Sequence, residues 1–146
     1  MSGWLLDTNV LSELRRPRPS ARVVGFVSAA PLDALYVSAV TLAEIRFGIE
    51  LCADAGRRAA LTQWLAHQVR PMFANRVLAV SEDVMFTWRL LVEQGRNAGR
   101  TFSQPHLIIA ATALEHGLTV ATRDTRDYLR AGVPVRNPWK AVARGA

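Results

Sequence analysis

Cysteine is almost missing from this chain. Cys52 stands alone in 146 residues, which excludes an intrachain disulfide and any cysteine-built zinc site. Lysine is nearly absent too: Lys140 is the single one among 18 Lys and Arg residues, so arginine carries the net charge of +6. No apolar run reaches the ~20 residues of a membrane span, and no charged segment followed by an apolar one opens the chain. A cytoplasmic location without a membrane partner is the expectation. Glycine is missing where a phosphate-cradling strand-to-helix turn would need it, since Gly95 and Gly99 fall in a polar helix end. Ser12, Ser38 and Ser81 lack the glycine-flanked setting of a nucleophilic serine. His67 and His116 have no partner at ligand spacing and read as surface residues of helices. Cys52 reads as a core residue late in an apolar helix.

What is present describes a folded domain. Half of the residues are hydrophobic and 21% are charged, with no low-complexity stretch. The length suits one domain spanning residues 1–146. Arginine's planar fork of donors suits phosphate, and a basic surface around an acidic pocket suits a polyanion. The charges form no continuous basic run, so charge alone does not assign nucleic acid.

Hydrophobic periodicity gives alternating elements. Gly3 to Asp7, Leu35 to Ala39, Arg76 to Val80, Leu118 to Ala121 and Val133 to Val135 read as strands. Helical patterns fill Thr8 to about Arg16, Ser20 to Ala30, Thr41 to Cys52, Arg57 to Met72, Ser81 to about Gly95, and Gln104 to His116. Pro17 and Pro19 break the first helix from the second. Strands alternating with helices predict an α/β fold around a mainly parallel sheet.

Acidic residues beside these strands carry the chemistry. Asp7 follows the first strand, Glu44 lies early in the third helix, and Asp124 follows the strand at Leu118 to Ala121. Carboxylates at strand ends gather at one edge of a parallel sheet. Converging carboxylates repel unless a cation neutralises them, which suggests magnesium or manganese. Each has a structural alternative. Asp7 suits a helix N-cap, Thr41-x-x-Glu44 has the form of a capping box, and Asp124 suits a turn, with Asp127 capping the next. His106 suits a helix start after Pro105.

The segments Leu5-Leu6-Asp7-Thr8-Asn9, Thr41-Leu42-Ala43-Glu44-Ile45, Ile109-Ala110-Ala111-Thr112-Ala113, Thr122-Arg123-Asp124-Thr125-Arg126-Asp127-Tyr128 and Asn137-Pro138-Trp139 resemble, in order and spacing, the PIN-domain ribonuclease toxins of VapC type. The FitB-like branch is the nearest in pattern. The resemblance implies a three-layer α/β/α sandwich and a magnesium- or manganese-dependent endoribonuclease, the toxin of a type II toxin–antitoxin pair. It implies a homodimer, an RNA substrate and a VapB-like antitoxin, with operator DNA bound only through the antitoxin complex. Carried over by position, Asp7, Glu44 and Asp124 match metal-binding catalytic acids. Thr8, Asn9, Thr122 and Asp127 surround them, and Arg46 and Arg123 stand as candidates to position the RNA backbone. His106 occupies the remaining catalytic and metal position, where the resembling pattern carries aspartate. An imidazole brings no negative charge, and magnesium prefers oxygen. Impaired cleavage is therefore expected. The alternative is a catalytically silent PIN-like module that binds only its antitoxin and RNA.

Overall fold

Leu5 and Leu6 are neighbours in a strand, so their side chains leave opposite faces, and both are fully buried. A strand with no exposed side belongs in a sheet covered on both faces, as parallel sheets are. The computed structural model, which describes residues 3–100 and 104–142, has this architecture. In chain order come β1 (Trp4–Leu6), α1 (Thr8–Leu14), α2 (Ala21–Ala29), β2 (Leu35–Ser38), α3 (Ala39–Glu50) and α4 (Ala55–Trp64). A π-helical stretch (Leu65–Val69) leads into α5 (Arg70–Met72), followed by β3 (Val77–Leu78), α6 (Glu82–Asn97) and α7 (Gln104–His116). β4 (Thr119–Ala121), α8 (Thr125–Arg130) and β5 (Val135–Arg136) complete the described fold.

The sheet order is β3-β2-β1-β4-β5, and every pairing is parallel. The chain moves outward from β1 through β2 and β3, then returns to the opposite side of β1 with β4 and β5. The order reverses between β1 and β4, and open α/β sheets bind their ligands in the crevice at such a point. On one face, Leu5 and Val120 pack with Val84 and Leu91 of α6, Leu107 and Ala111 of α7, and Tyr128 of α8. On the other, Leu6, Val37 and Ala121 pack with Leu11 of α1, Val23 of α2, Ile45 of α3, and Phe73. Two cores, one on each face of the sheet, make three layers.

Several elements depart from the sequence reading. The helix expected over Arg57 to Met72 begins at Ala55, capped by Asp54, and widens into the π stretch before Pro71. Proline lacks a donor and crowds the carbonyl four residues back, and the wider turn relieves both conflicts. β3 and β5 are the sheet edges and are only two residues long. α8 was read as a turn because its residues are polar, but burial of Tyr128 in the core stabilises a helix there. Cys52 lies beyond the end of α3, half-buried, with its thiol toward the Asp54 carbonyl at 3.7 Å.

Two glycines give opposite tests of this packing. A Cβ on Gly3 would sit 2.9 Å from the Ala34 carbonyl oxygen, with Tyr36 and Leu118 equally close. Gly25 lies within α2, and a Cβ there meets nothing within 4 Å. Gly3→Ala is expected to destabilise by about 1–3 kcal/mol through overpacking. Gly25→Ala should stabilise by roughly 0.5–1 kcal/mol through helix propensity. Urea unfolding of both variants checks the pair, and an unchanged midpoint for Gly3→Ala would contradict the close approach.

Candidate metal centre

Asp7 is held by the sheet before it is held by anything else. Its backbone N–H donates to the Ala121 carbonyl at 3.0 Å, carrying the β1–β4 pairing one residue beyond Leu6. The residue is also the N-cap of α1, with Oδ1 accepting from the Thr8 N–H at 2.8 Å. The cap and the site are thus the same side chain. Its other oxygen, Oδ2, accepts from the Thr122 hydroxyl at 2.8 Å and the Tyr128 hydroxyl at 3.1 Å. Asp7 is only 2% exposed, and three donors offset the cost of removing its charge from water. Thr122 Oγ1 itself accepts from the Asp124 N–H at 3.0 Å and Asn9 Nδ2 at 3.2 Å. With both lone pairs engaged, its one proton is committed to Asp7. Burial, reinforced by the negative charge of Asp7, raises the Tyr128 phenol above its ordinary pKa, so it stays a donor.

The end of β4 supplies the second carboxylate. Asp124 stands at the N-cap position of α8, yet its side chain makes no capping bond. It turns instead toward Asn9, whose Nδ2 donates to Oδ2 at 3.3 Å, while Asn9 Oδ1 accepts from the Arg123 N–H at 3.3 Å. Asn9 therefore clamps the loop after β4 to the start of α1. His106 enters from the first turn of α7. Its Nε2 lies 3.9 Å from Asp7 Oδ2 and 3.7 Å from Asp124 Oδ2, and its Nδ1 lies 3.5 Å from Asp127 Oδ2. The ring is tilted against Tyr128, with centroids 5.3 Å apart. One imidazole thus faces three carboxylates.

Glu44 reaches the same groove by another route. The Ser38 hydroxyl caps the Val40 N–H at 3.0 Å, so α3 starts at Ala39, two residues before Thr41. Thr41 falls inside the first turn, its buried hydroxyl without a partner among the described residues, and no capping box forms. Glu44 is exposed and free of any capping duty. It lines a groove of about 1180 Å³ together with Asp7, Thr8, Asn9, His106 and Asp124. Arg123 also lines it, whereas Arg46 is exposed on α3 outside the lining. His67 and His116 are exposed, away from the groove. Tyr128 was missed as a site residue by the sequence reading. Its signals were a lone aromatic four residues after Asp124 in a polar stretch and its place at the end of the resembling segment from Thr122.

The donor chemistry suits a divalent cation. Ligand atoms of Asp7, His106 and Asp124 all lie within 4.8 Å of one another. Two carboxylates and a ring nitrogen fit manganese or a later metal better than magnesium, which favours oxygen alone. Glu44 stands outside this close group, on the wall of the same groove.

Comparison with known proteins bears on the family and the fold. The PIN domain profile matches residues 4–133. Toxin FitB of Neisseria gonorrhoeae is 40% identical over 135 residues, covering 92% of this chain and 97% of its own. VapC ribonuclease Y4jK of Sinorhizobium fredii is 38% identical over 136 residues, covering 93% and 97%. The crystal structure of FitAcB from Neisseria gonorrhoeae matches with a TM-score of 0.89 at 39% identity, over 94% of this chain and 99% of that one. A profile spanning four of the five strands, over carboxylates gathered where the sheet order reverses, places the chain in the PIN-domain family.

Proposed function

We propose that this chain is the toxin of a type II toxin–antitoxin pair, built as a metal-dependent endoribonuclease and impaired in magnesium by His106. The observation that carries the reading is the meeting of Asp7 and Asp124 at the reversal of the sheet, on one groove with Glu44. Similarity to a protein named as a toxin and another named as a VapC ribonuclease supports it.

Each residue has a distinct task. Asp7, Asp124 and His106 would hold the cation with Glu44 from the groove wall, and Thr122 and Tyr128 fix the Asp7 carboxylate in one orientation. Asn9 keeps Asp124 in range. Thr8 anchors Asp7 through its backbone N–H, and Asp127 backs His106. A divalent cation at this centre would supply an activated water for hydrolysis and would neutralise charge on the scissile phosphate. Arg123, on the rim, positions the RNA backbone. His106 supplies nitrogen where an acid would supply charge, so magnesium is held weakly and manganese better. A VapB-like antitoxin blocks the groove, the chain pairs with a second copy, and operator DNA is bound through the antitoxin complex. The setting is the cytoplasm; no helix of the described residues is long and apolar enough to cross a membrane.

Asp7→Asn separates capping from metal binding. Asparagine caps helices as well as aspartate, so the variant is expected to stay folded and to lose manganese binding in a calorimetric titration. Equal binding by both proteins would remove Asp7 from the centre.

His106→Asp is expected to restore magnesium-dependent RNA cleavage and growth arrest on induction. Loss of one group that stabilises the transition state costs about 2.7–4 kcal/mol in a well-studied case, roughly a hundredfold or more in rate. Equal rates and toxicity for the two forms in magnesium would place position 106 outside the catalytic shell.

Glu44→Gln is best read in that aspartate-106 background. Because Glu44 makes no capping bond, the melting temperature should be unchanged while cleavage is lost. A fully active variant would leave Glu44 with no part in the chemistry.

A further inference from the structure

The groove holding the acids continues beyond them, and its walls change from carboxylate to arginine and tryptophan. Trp64, the last residue of α4, is half-buried, and the Arg15 guanidinium lies over its ring, 5.8 Å from the centroid. Arg57, exposed in the first turn of α4, lines the same wall. A second depression of about 280 Å³ adjoins it, and Arg15, Arg57, Leu61 and Trp64 border both spaces. This wall is therefore a ridge open on two sides. Other arginines of the chain are engaged: Arg16 pairs with Glu13, Arg58 donates to the Cys52 carbonyl, and Arg76 donates to the Leu35 and Met72 carbonyls. Arg15 and Arg57 have no side-chain hydrogen bond or ion pair among the described residues.

The geometry points to a nucleotide-binding station at Trp64. One base of an unpaired RNA strand stacks on the indole in the place that the Arg15 guanidinium holds in the free chain, and Arg15 and Arg57 take the phosphates beside it. The inference rests on the ribonuclease reading and assigns to this wall the grip on one nucleotide of its substrate. Charge gives the reason. The acidic centre repels a polyanion, so the grip on the strand must come from elsewhere along the groove. An aromatic face suits any base, and two guanidinium forks without an ion-pair partner among the described residues suit phosphates. In a duplex, bases are stacked on each other and offer no free face, so an indole platform selects unpaired strand. The pairing recurs on the same groove, where Arg123 lies over Trp139 at 4.9 Å.

The test is binding without cleavage. A fluorescein-labelled single-stranded RNA of about ten nucleotides, a length within known single-strand site sizes, is titrated with the full chain in EDTA at several salt concentrations. Fluorescence anisotropy should show affinity about tenfold weaker for Trp64→Ala, within the range for a lost base–aromatic stack, and mostly recovered in Trp64→Phe. Arg57→Gln should lower the slope of log affinity against log salt by about 0.7, the value for one phosphate contact on a single strand. Arg57 is exposed, so this arm stands even if Trp64→Ala does not fold. Unchanged affinity in folded Trp64→Ala and an unchanged slope in Arg57→Gln would overturn the station and leave the ribonuclease reading intact. Absence of RNA binding by the unaltered chain would count against both. Weakened binding of the antitoxin with unchanged RNA affinity would make this wall a protein-binding surface and overturn the proposal.

Discussion

A buried carboxylate is the constraint on which this structure turns. Asp7 sits where β1 and β4 part, almost wholly removed from water, and an ionised group there is costly unless donors meet it. The donors come from the start of α1, the end of β4 and the middle of α8. Satisfying one side chain therefore fixes the relative positions of three segments far apart in sequence. The chain does not first fold and then carry a site: the polar contacts that make Asp7 tolerable are the ones that aim it. Asp124 follows from the same network, because Thr122 accepts its N–H and donates to Asp7.

Electrostatics then divide the groove into two regions. At the reversal of the sheet stand acids that favour a cation; along α1 and α4 stand arginines that favour an anion. A polyanion approaching such a surface is drawn to the basic rim and held off the acidic floor until a cation lowers the repulsion. The mixture of signs would be an odd choice for a purely structural face. For a nuclease groove it separates gripping the strand from cutting it.

The framework and the acids were legible in the sequence to different degrees. Asp7 and Asp124 could be found because each follows a short, largely buried strand, a pattern that survives without tertiary information. Glu44 was harder, since Thr41-x-x-Glu44 has the form of a capping box. Only the structure reveals that Ser38 already occupies the cap. Tyr128 was hidden because its partner Asp7 is 121 residues away and its own segment is polar. The π turn before Pro71 and the helix α8 were missed for a related reason. Local pattern announces a break or a turn there, and long-range packing decides otherwise. Arg15 follows the end of α1 and Trp64 ends α4, with no spacing to connect them.

Position 106 shows how such a centre trades function against ease. An aspartate there would bring a further negative charge toward Asp7, Asp124 and Asp127, and without a cation like charges at this range oppose one another. The imidazole removes that repulsion and sets one nitrogen toward Asp127 and the other toward Asp7 and Asp124. On the proposed reading the cation-free chain would gain what the loaded one would lose, an exchange between stability and activity. The change is confined to the floor of the groove. Trp64, Arg15 and Arg57 stand on a separate wall, and the donors to Asp7 come from residues other than 106. On the proposed reading, a change at position 106 would act on the chemistry and leave the shape of the arginine and tryptophan wall as it is.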